Sequence, residues 1–237
     1  MKTLIIDDEP LARRELRRLL AGFGWIEITG EAANIAEGVE RIRTLAPDIV
    51  FLDVQMPGGT GFDLLEQIDV TPLVIFTTAY DHHAVRAFEV NALDYLVKPI
   101  EPDRLERALD RIRQRSAATS TASTGTNSHL EQLFVRDGPR CWFVPLREVS
   151  LLTSEGNCVR LLWGKSQPVL GRSLVNLEQH LDPKRFFRVN RQQIVNLDFV
   201  TEVELGVSGR LHVQLRDGPE VEISRRQAKL FKMRTSI

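Results

Sequence analysis

Between residues 3 and 115, short apolar runs alternate five times with stretches whose apolar residues recur at helical spacing. Strands are predicted at residues 3 to 6, Ile26 to Gly30, Ile49 to Leu52, Leu73 to Phe76 and Asp94 to Val97. Helices are predicted from Pro10 to about Leu20, Ile35 to Leu45, near Gly61 to Ile68, around His82 to Glu89, and from about Pro102 to Arg115. Such alternation admits few folds: it requires an α/β domain, with a parallel sheet covered by helices on both faces.

In an open sheet of this kind, chemistry collects at the carboxyl edge of the strands. Asp7 and Asp8 follow the first strand, Asp53 ends the third, Thr78 follows the fourth and Lys98 follows the fifth. Taken alone, Asp53 is as compatible with capping the helix near Thr60 as with a functional role. Three carboxylates in one crevice repel each other by about 1 to 4 kcal/mol per pair at 4 Å, so the cluster calls for a cation. An all-oxygen pocket with room for water and a phosphoryl group suits Mg²⁺. Lys98 adds a fixed positive charge and Thr78 a hydroxyl donor, the groups a phosphoryl needs once an Asp carboxylate attacks it.

Ile5-Ile6-Asp7-Asp8-Glu9-Pro10, Phe51-Leu52-Asp53-Val54-Gln55-Met56-Pro57, Thr77-Thr78-Ala79 and Asp94-Tyr95-Leu96-Val97-Lys98-Pro99 resemble, in order and spacing, the receiver domain of two-component response regulators. The resemblance implies a flavodoxin-like doubly wound (βα)5 fold and a phosphoacceptor, Asp53, served by a sensor histidine kinase. It implies that Asp8, Asp53 and the backbone carbonyl of Gln55 hold Mg²⁺, with Asp7 acting mainly through water. Thr78 and Tyr95 correspond to the family's switch pair, and Lys98-Pro99 to its cis peptide bond. Gly58-Gly59-Thr60-Gly61 is richer in glycine than the family's usual loop. Arg13, Arg14, Arg17 and Arg18 on the first helix are expected to form a solvated face.

The formal net charge of -1 conceals an asymmetry. Residues 1 to 115 carry 14 Lys and Arg against 20 Asp and Glu, whereas residues 130 to 237 carry 17 against 12. Between them, residues 116 to 129 include a Ser, Thr and Ala tract with no charge and no large apolar residue, which is expected to be a flexible linker. Beyond Gln132 the pattern becomes one of short alternating strands separated by turns such as Asp137-Gly138 and Glu155-Gly156-Asn157. One short helix is predicted over Leu174 to Leu181 and a basic one over Arg225 to Met233. A mostly β domain that reads DNA would do so with strands and loops. Arg188-Val189-Asn190-Arg191-Gln192-Gln193 has suitable side chains, although a solvated loop is at least as compatible with this segment alone, and a domain that binds protein would leave it so.

Leu151-Leu152-Thr153-Ser154-Glu155-Gly156-Asn157, Gly171-Arg172-Ser173-Leu174, Phe186 through Asn196 and Ile223-Ser224-Arg225-Arg226 resemble the LytTR DNA-binding domain. The resemblance implies an elongated β fold entering successive major grooves of a direct repeat in double-stranded promoter DNA. By motif position, Asn157, Arg191 and Arg225 are the candidate contacts, supported by Lys165, Arg188 and Arg226. The family more often has His at position 190 and Ser or Thr at 192, where this chain has Asn and Gln. Asn196 is expected to fix a turn.

The chain is thus expected to comprise a receiver at 1 to 115, a linker at 116 to 129 and a LytTR domain at 130 to 237. Its expected role is transcriptional regulation, with phosphorylation of Asp53 promoting a homodimer. No enzyme activity is expected, because residues 130 to 237 offer no evident nucleophile and base; His180 beside Asp182 more simply ends a helix. The absence of a long apolar segment and the spacing of Cys141 and Cys158 argue for a cytoplasmic protein with no membrane partner and buried structural thiols.

Overall fold

A computed structural model describes residues 1–79, 94–120, 130–138, 140–206, 209–216 and 218–235. Two compact units are present, one formed by 1–126 with Arg140–Phe143, the other by 127–139 with 144–237.

In the first unit, β1 (Lys2–Ile6), β2 (Glu27–Ala32), β3 (Ile49–Asp53), β4 (Leu73–Thr78) and β5 (Asp94–Val97) form one sheet in the order β2-β1-β3-β4-β5, with every pairing parallel. The order reverses between β1 and β3, which opens a crevice at their carboxyl ends. All five residues of β3 are buried, the signature of a strand covered on both faces. Ile5, Phe51, Ile75 and Leu96 pack with Leu16 and Leu20 of α1 (Pro10–Leu20) in one core cluster.

Local sequence sets the remaining helix boundaries. Helix α2 (Ile35–Leu45) is capped by Asn34, whose side chain accepts from the Glu37 N–H, and ends at Ala46 in the left-handed region with φ 44°. Thr60 and Asp63 form a reciprocal capping box on α3 (Gly61–Glu66). Asp53 is therefore not the cap of that helix. The final helix of this unit, α4 (Pro102–Ser120), runs beyond the predicted Arg115. Ala117 and Ala118 favour helix and no Gly or Pro interrupts before Gly125. Leu105, Ala108, Leu109 and Ile112 place its apolar stripe in the core. The helix predicted at His82 to Glu89 lies outside the described residues, as does the linker from 121 to 129.

In chain order, β6 (Gln132–Asp137), which belongs to the second unit, is followed by β7 (Arg140–Pro145), whose Arg140–Phe143 portion belongs to the first, and then by β8 (Val149–Glu155), β9 (Cys158–Trp163) and β10 (Val169–Leu170) of the second unit. Helix α5 (Leu174–His180), with Ser173 as its cap, leads to β11 (Phe186–Arg188) and β12 (Gln193–Asn196). An antiparallel sheet has the order β10-β9-β8-β12-β11. A second, three-stranded sheet comprises β13 (Val200–Leu205), β14 (Leu211–Leu215) and β15 (Glu220–Ile223), followed by α6 (Arg225–Thr235). Leu151, Phe187 and Val195 of the first sheet share a buried cluster with Val213, Val221, Ile223 and Phe231. Phe231 of α6 meets Phe187 edge-on at 5.3 Å, and burying such a ring contributes roughly 1.5 to 3 kcal/mol.

Asn196 is wholly buried. Its amide donates to the Val149 carbonyl at 2.9 Å and its oxygen accepts from the Asp198 N–H at 3.1 Å, which starts the 3-10 turn Leu197–Phe199. Cys141 is buried and Cys158 partly so, and neither is in a disulfide. No helix among the described residues is long and apolar enough to cross a membrane.

Candidate functional site

The register of the parallel sheet brings the acidic residues together. Ile6 at the end of β1 pairs with Leu52, so Asp7 and Asp53 are consecutive to paired positions, and Asp53 lies opposite Thr77. Carboxylate oxygens of Asp7, Asp8 and Asp53 come within 4.8 Å of one another. Asp7 and Asp53 are buried whereas Asp8 is half-buried. Side chains also order the two loops: Asp7 Oδ1 accepts from the Glu9 N–H at 3.0 Å, and Asp53 Oδ1 from the Gln55 N–H at 3.1 Å. Gln55 sits in a short antiparallel ribbon with Thr60. Three hard oxygen donors beside one exposed loop match the preference of Mg²⁺, which binds through few carboxylates and keeps part of its water.

Lys98 closes the crevice from β5. Its Nζ lies 2.7 Å from Asp7 Oδ2 and 2.7 Å from Asp53 Oδ2, with Glu9 Oε2 at 3.9 Å. The Lys98 N–H donates to the Thr78 carbonyl at 2.7 Å, and the Lys98-Pro99 bond is cis. Burial raises the Asp53 pKa above the usual carboxylate value despite the Lys98 hydrogen bond. Burial pulls Lys98 down, but hydrogen bonds to Asp53 and Asp7 outweigh it and leave its pKa raised. The two directions are compatible because one ammonium faces two carboxylates. Thr78 is buried at the end of β4. Tyr95 stacks on Phe76 at 5.4 Å, and burial pushes its phenol well above the ordinary value.

Gly61 fits tightly beneath the acceptor. A Cβ there would fall 2.5 Å from the Asp53 carbonyl oxygen, and the Gly61 N–H donates to Val54 O at 3.0 Å. Gly58, with φ 89°, uses the left-handed freedom of glycine in the same loop.

In the second unit, Asn157 is exposed at the β8 to β9 turn and Lys165 at the turn following β9. Arg191 is exposed between β11 and β12, and Arg225 and Arg226 are exposed in the first turn of α6. Arg188 differs: its side chain is 18% exposed and pairs with Glu178 at 2.6 Å.

Residues 3–110 match the family model for the response regulator receiver domain, and residues 140–236 match that for the LytTr DNA-binding domain. An uncharacterized response regulatory protein of Vibrio cholerae is 37% identical over 98% of this chain and 97% of its own length. The transcriptional regulatory protein BtsR of Salmonella typhi is 36% identical, and that of Escherichia coli 34%, each over 98% of both chains.

The chain belongs to the LytTR family of response regulators.

Receiver and DNA-binding domains together make this response regulator a transcription regulator of the two-component type. Several of its polar groups escaped the sequence patterns. Arg14, Arg17 and Arg18 are exposed, as expected of a solvated face, but Arg13 is not: it hydrogen-bonds Glu31, as Arg17 also does, and donates to the Asp7 carbonyl at 2.7 Å. Burial alone would raise Glu31, yet the bonds from Arg17 and Arg13 hold it below the usual range. The cause is the β1–β2 register, which sets Glu31 beside α1. Buried Asp94 is clamped by Arg104 at 3.1 Å and Arg111 at 2.8 Å, both from α4. Acidic and basic residues at helical spacing on α4 were the available signal, but their partner is a strand residue ten and seventeen positions away.

Proposed function

We propose that Asp53 of this response regulator accepts a phosphoryl group from a sensor histidine kinase, and that the modified receiver forms a homodimer placing two LytTR domains on direct repeats in promoter DNA. The observation that carries the proposal is the double contact of Lys98 Nζ with Asp7 and Asp53 at the sheet's switch point. A carboxylate oxygen of Asp53 attacks the phosphorus of a phosphohistidine, the P–N bond breaks, and the imidazole leaves with its electron pair. Lys98 then meets the new phosphoryl charge and Thr78 offers its hydroxyl, a change at the end of β4 that repositions Tyr95. Asp8, Asp53 and the Gln55 carbonyl would hold Mg²⁺, whose charge offsets that of the carboxylates and the phosphoryl group.

In the DNA-binding domain, exposed Asn157, Arg191 and Arg225 are assigned to base or phosphate contacts, with Lys165 and Arg226 on the backbone. Residues 1 to 115 act as receiver, 130 to 237 as DNA reader and 116 to 129 as the connection. Dimerisation raises affinity through effective concentration, without new base contacts.

The test is phosphorylation of the full chain by acetyl phosphate and Mg²⁺, followed on a phosphate-affinity gel and by sedimentation. A retarded band and a dimer are expected, and Asp53→Asn should remove both. Retardation that persists in Asp53→Asn would overturn the assignment of the acceptor.

A further inference from the structure

The loop between β11 and β12 carries Arg191, yet its most heavily bonded cation is Arg188. The Arg188 Nε donates to the Asn190 carbonyl at 3.1 Å, one terminal nitrogen donates to the Arg191 carbonyl at 2.6 Å, and the other meets Glu178 of α5 at 2.6 Å. All three guanidinium nitrogens therefore have partners within the domain. Asn190 is equally committed. Its amide nitrogen donates to Gln193 Oε1 at 2.9 Å and to the Glu222 carbonyl of β15 at 3.0 Å, and its oxygen accepts from the Gln192 N–H at 2.9 Å.

The same loop is stitched to both other segments that carry candidate readers. Ser154 N–H of β8, three residues before Asn157, donates to the Gln192 carbonyl at 2.8 Å. Ser224 N–H, immediately before Arg225, donates to the Val189 carbonyl at 2.9 Å. The loop is thus a hub between the Asn157 turn and the start of α6, and Arg188 holds two of its carbonyls.

We infer that Arg188, held by Glu178, is a positioning residue that fixes Arg191 in register with Asn157 and Arg225, and that it is not itself a DNA contact. The inference rests on the assignment of this loop to DNA. Its physical basis is the planar guanidinium fork, which grips two carbonyls and a carboxylate at once; a lysine ammonium at the same position cannot reproduce that geometry. A neutralised guanidinium that is mostly buried also adds no phosphate neutralisation, and so no counterion release.

The experiment uses the full chain with two probes: a duplex recovered by that chain from a random-sequence pool, and a scrambled duplex of equal length. Affinities are measured across a salt series. Arg188→Lys should weaken the selected duplex by about tenfold while changing the scrambled one by less than about twofold, and Arg188→Gln should leave the slope of log affinity against log salt unchanged. Rescue by Arg188→Lys, or a slope reduced by about 1 in Arg188→Gln, overturns the inference. If the Arg188 variants do not fold, Glu178→Ala decides: loss of preference for the selected duplex supports the bracket, and an unchanged preference overturns it. Arg191→Ala separates the layers. If it binds both duplexes as the parent does, the loop does not meet DNA and the underlying assignment fails; if it loses affinity while Arg188→Lys does not, only the positioning role fails.

Discussion

The Lys98 ammonium stands 2.7 Å from Asp53, but it is shared with Asp7, so the acceptor carboxylate is only partly neutralised. Because the Asp53 pKa is raised by burial, the folded protein holds that proton more tightly than the unfolded chain does. Its contribution to stability therefore falls as pH climbs from the ordinary value near 3.8 through the folded value. Asp53→Asn should gain more stability relative to the parent at about pH 7 than at about pH 4. Urea denaturation without Mg²⁺ measures this, and a difference constant across the two pH values would refute it.

Lys98 titrates with the opposite consequence. Its raised pKa contributes stability that is complete below the ordinary value near 10.5 and lost as pH rises through the folded value. Lys98→Ala leaves Asp7 and Asp53 buried without their cation, a loss of about 3 kcal/mol by analogy with other broken buried pairs. Denaturation at neutral pH without Mg²⁺ should show that deficit, and much of it should return when Mg²⁺ is added.

Mg²⁺ itself should raise the parent's stability by about 2.7 kcal/mol at a hundredfold excess over its dissociation constant. Asp8→Asn should abolish the rise, since Asp8 is the half-buried member of the oxygen cluster. Thermal melts with and without the cation provide the comparison; an undiminished shift in Asp8→Asn would place the cation elsewhere.

Gly61→Ala should destabilise the receiver by about 1 to 3 kcal/mol, the usual range for overpacking. The added methyl would meet the Asp53 backbone oxygen, which a flexible side chain cannot relieve by moving aside. Phosphate uptake from acetyl phosphate should slow in the same variant, while Gly24→Ala, with open space around its Cβ, should leave uptake unchanged.

Asn196→Ala should cost about 1 to 3 kcal/mol, because it strands the buried Val149 carbonyl and the Asp198 N–H. Denaturant midpoints at equal slope would measure it, and a neutral variant would show that the turn holds without that side chain.

The parallel sheet and its crevice were legible because strand ends announce themselves: an apolar run stopping at Asp53, Thr78 or Lys98 leaves little choice of where those groups meet. Asn196 was readable as a turn residue for similar local reasons. Arg13 departs from the solvated face that its helical spacing predicts, since its partners, Glu31 of β2 and the Asp7 carbonyl, are set by tertiary placement that helical spacing cannot encode. The bonds that Arg188 makes were not legible from its motif position, because two of its acceptors are main-chain carbonyls, which every sequence possesses and none displays, and the third, Glu178, lies on a separate helix. The Ala-containing start of the expected linker was compositionally ambiguous, and continuation of α4 to Ser120 shows that helix propensity prevailed there.

The Asp94 clamp has a mechanical corollary. By joining β5 to α4 through Arg104 and Arg111, it ties the strand that ends beside Lys98 to the first half of a 19-residue helix. At 1.5 Å per residue, the part of that helix beyond Arg111 is an arm roughly 13 Å long. A tilt of about 5° at the clamp then carries its far end, Ser120, through about 1.2 Å.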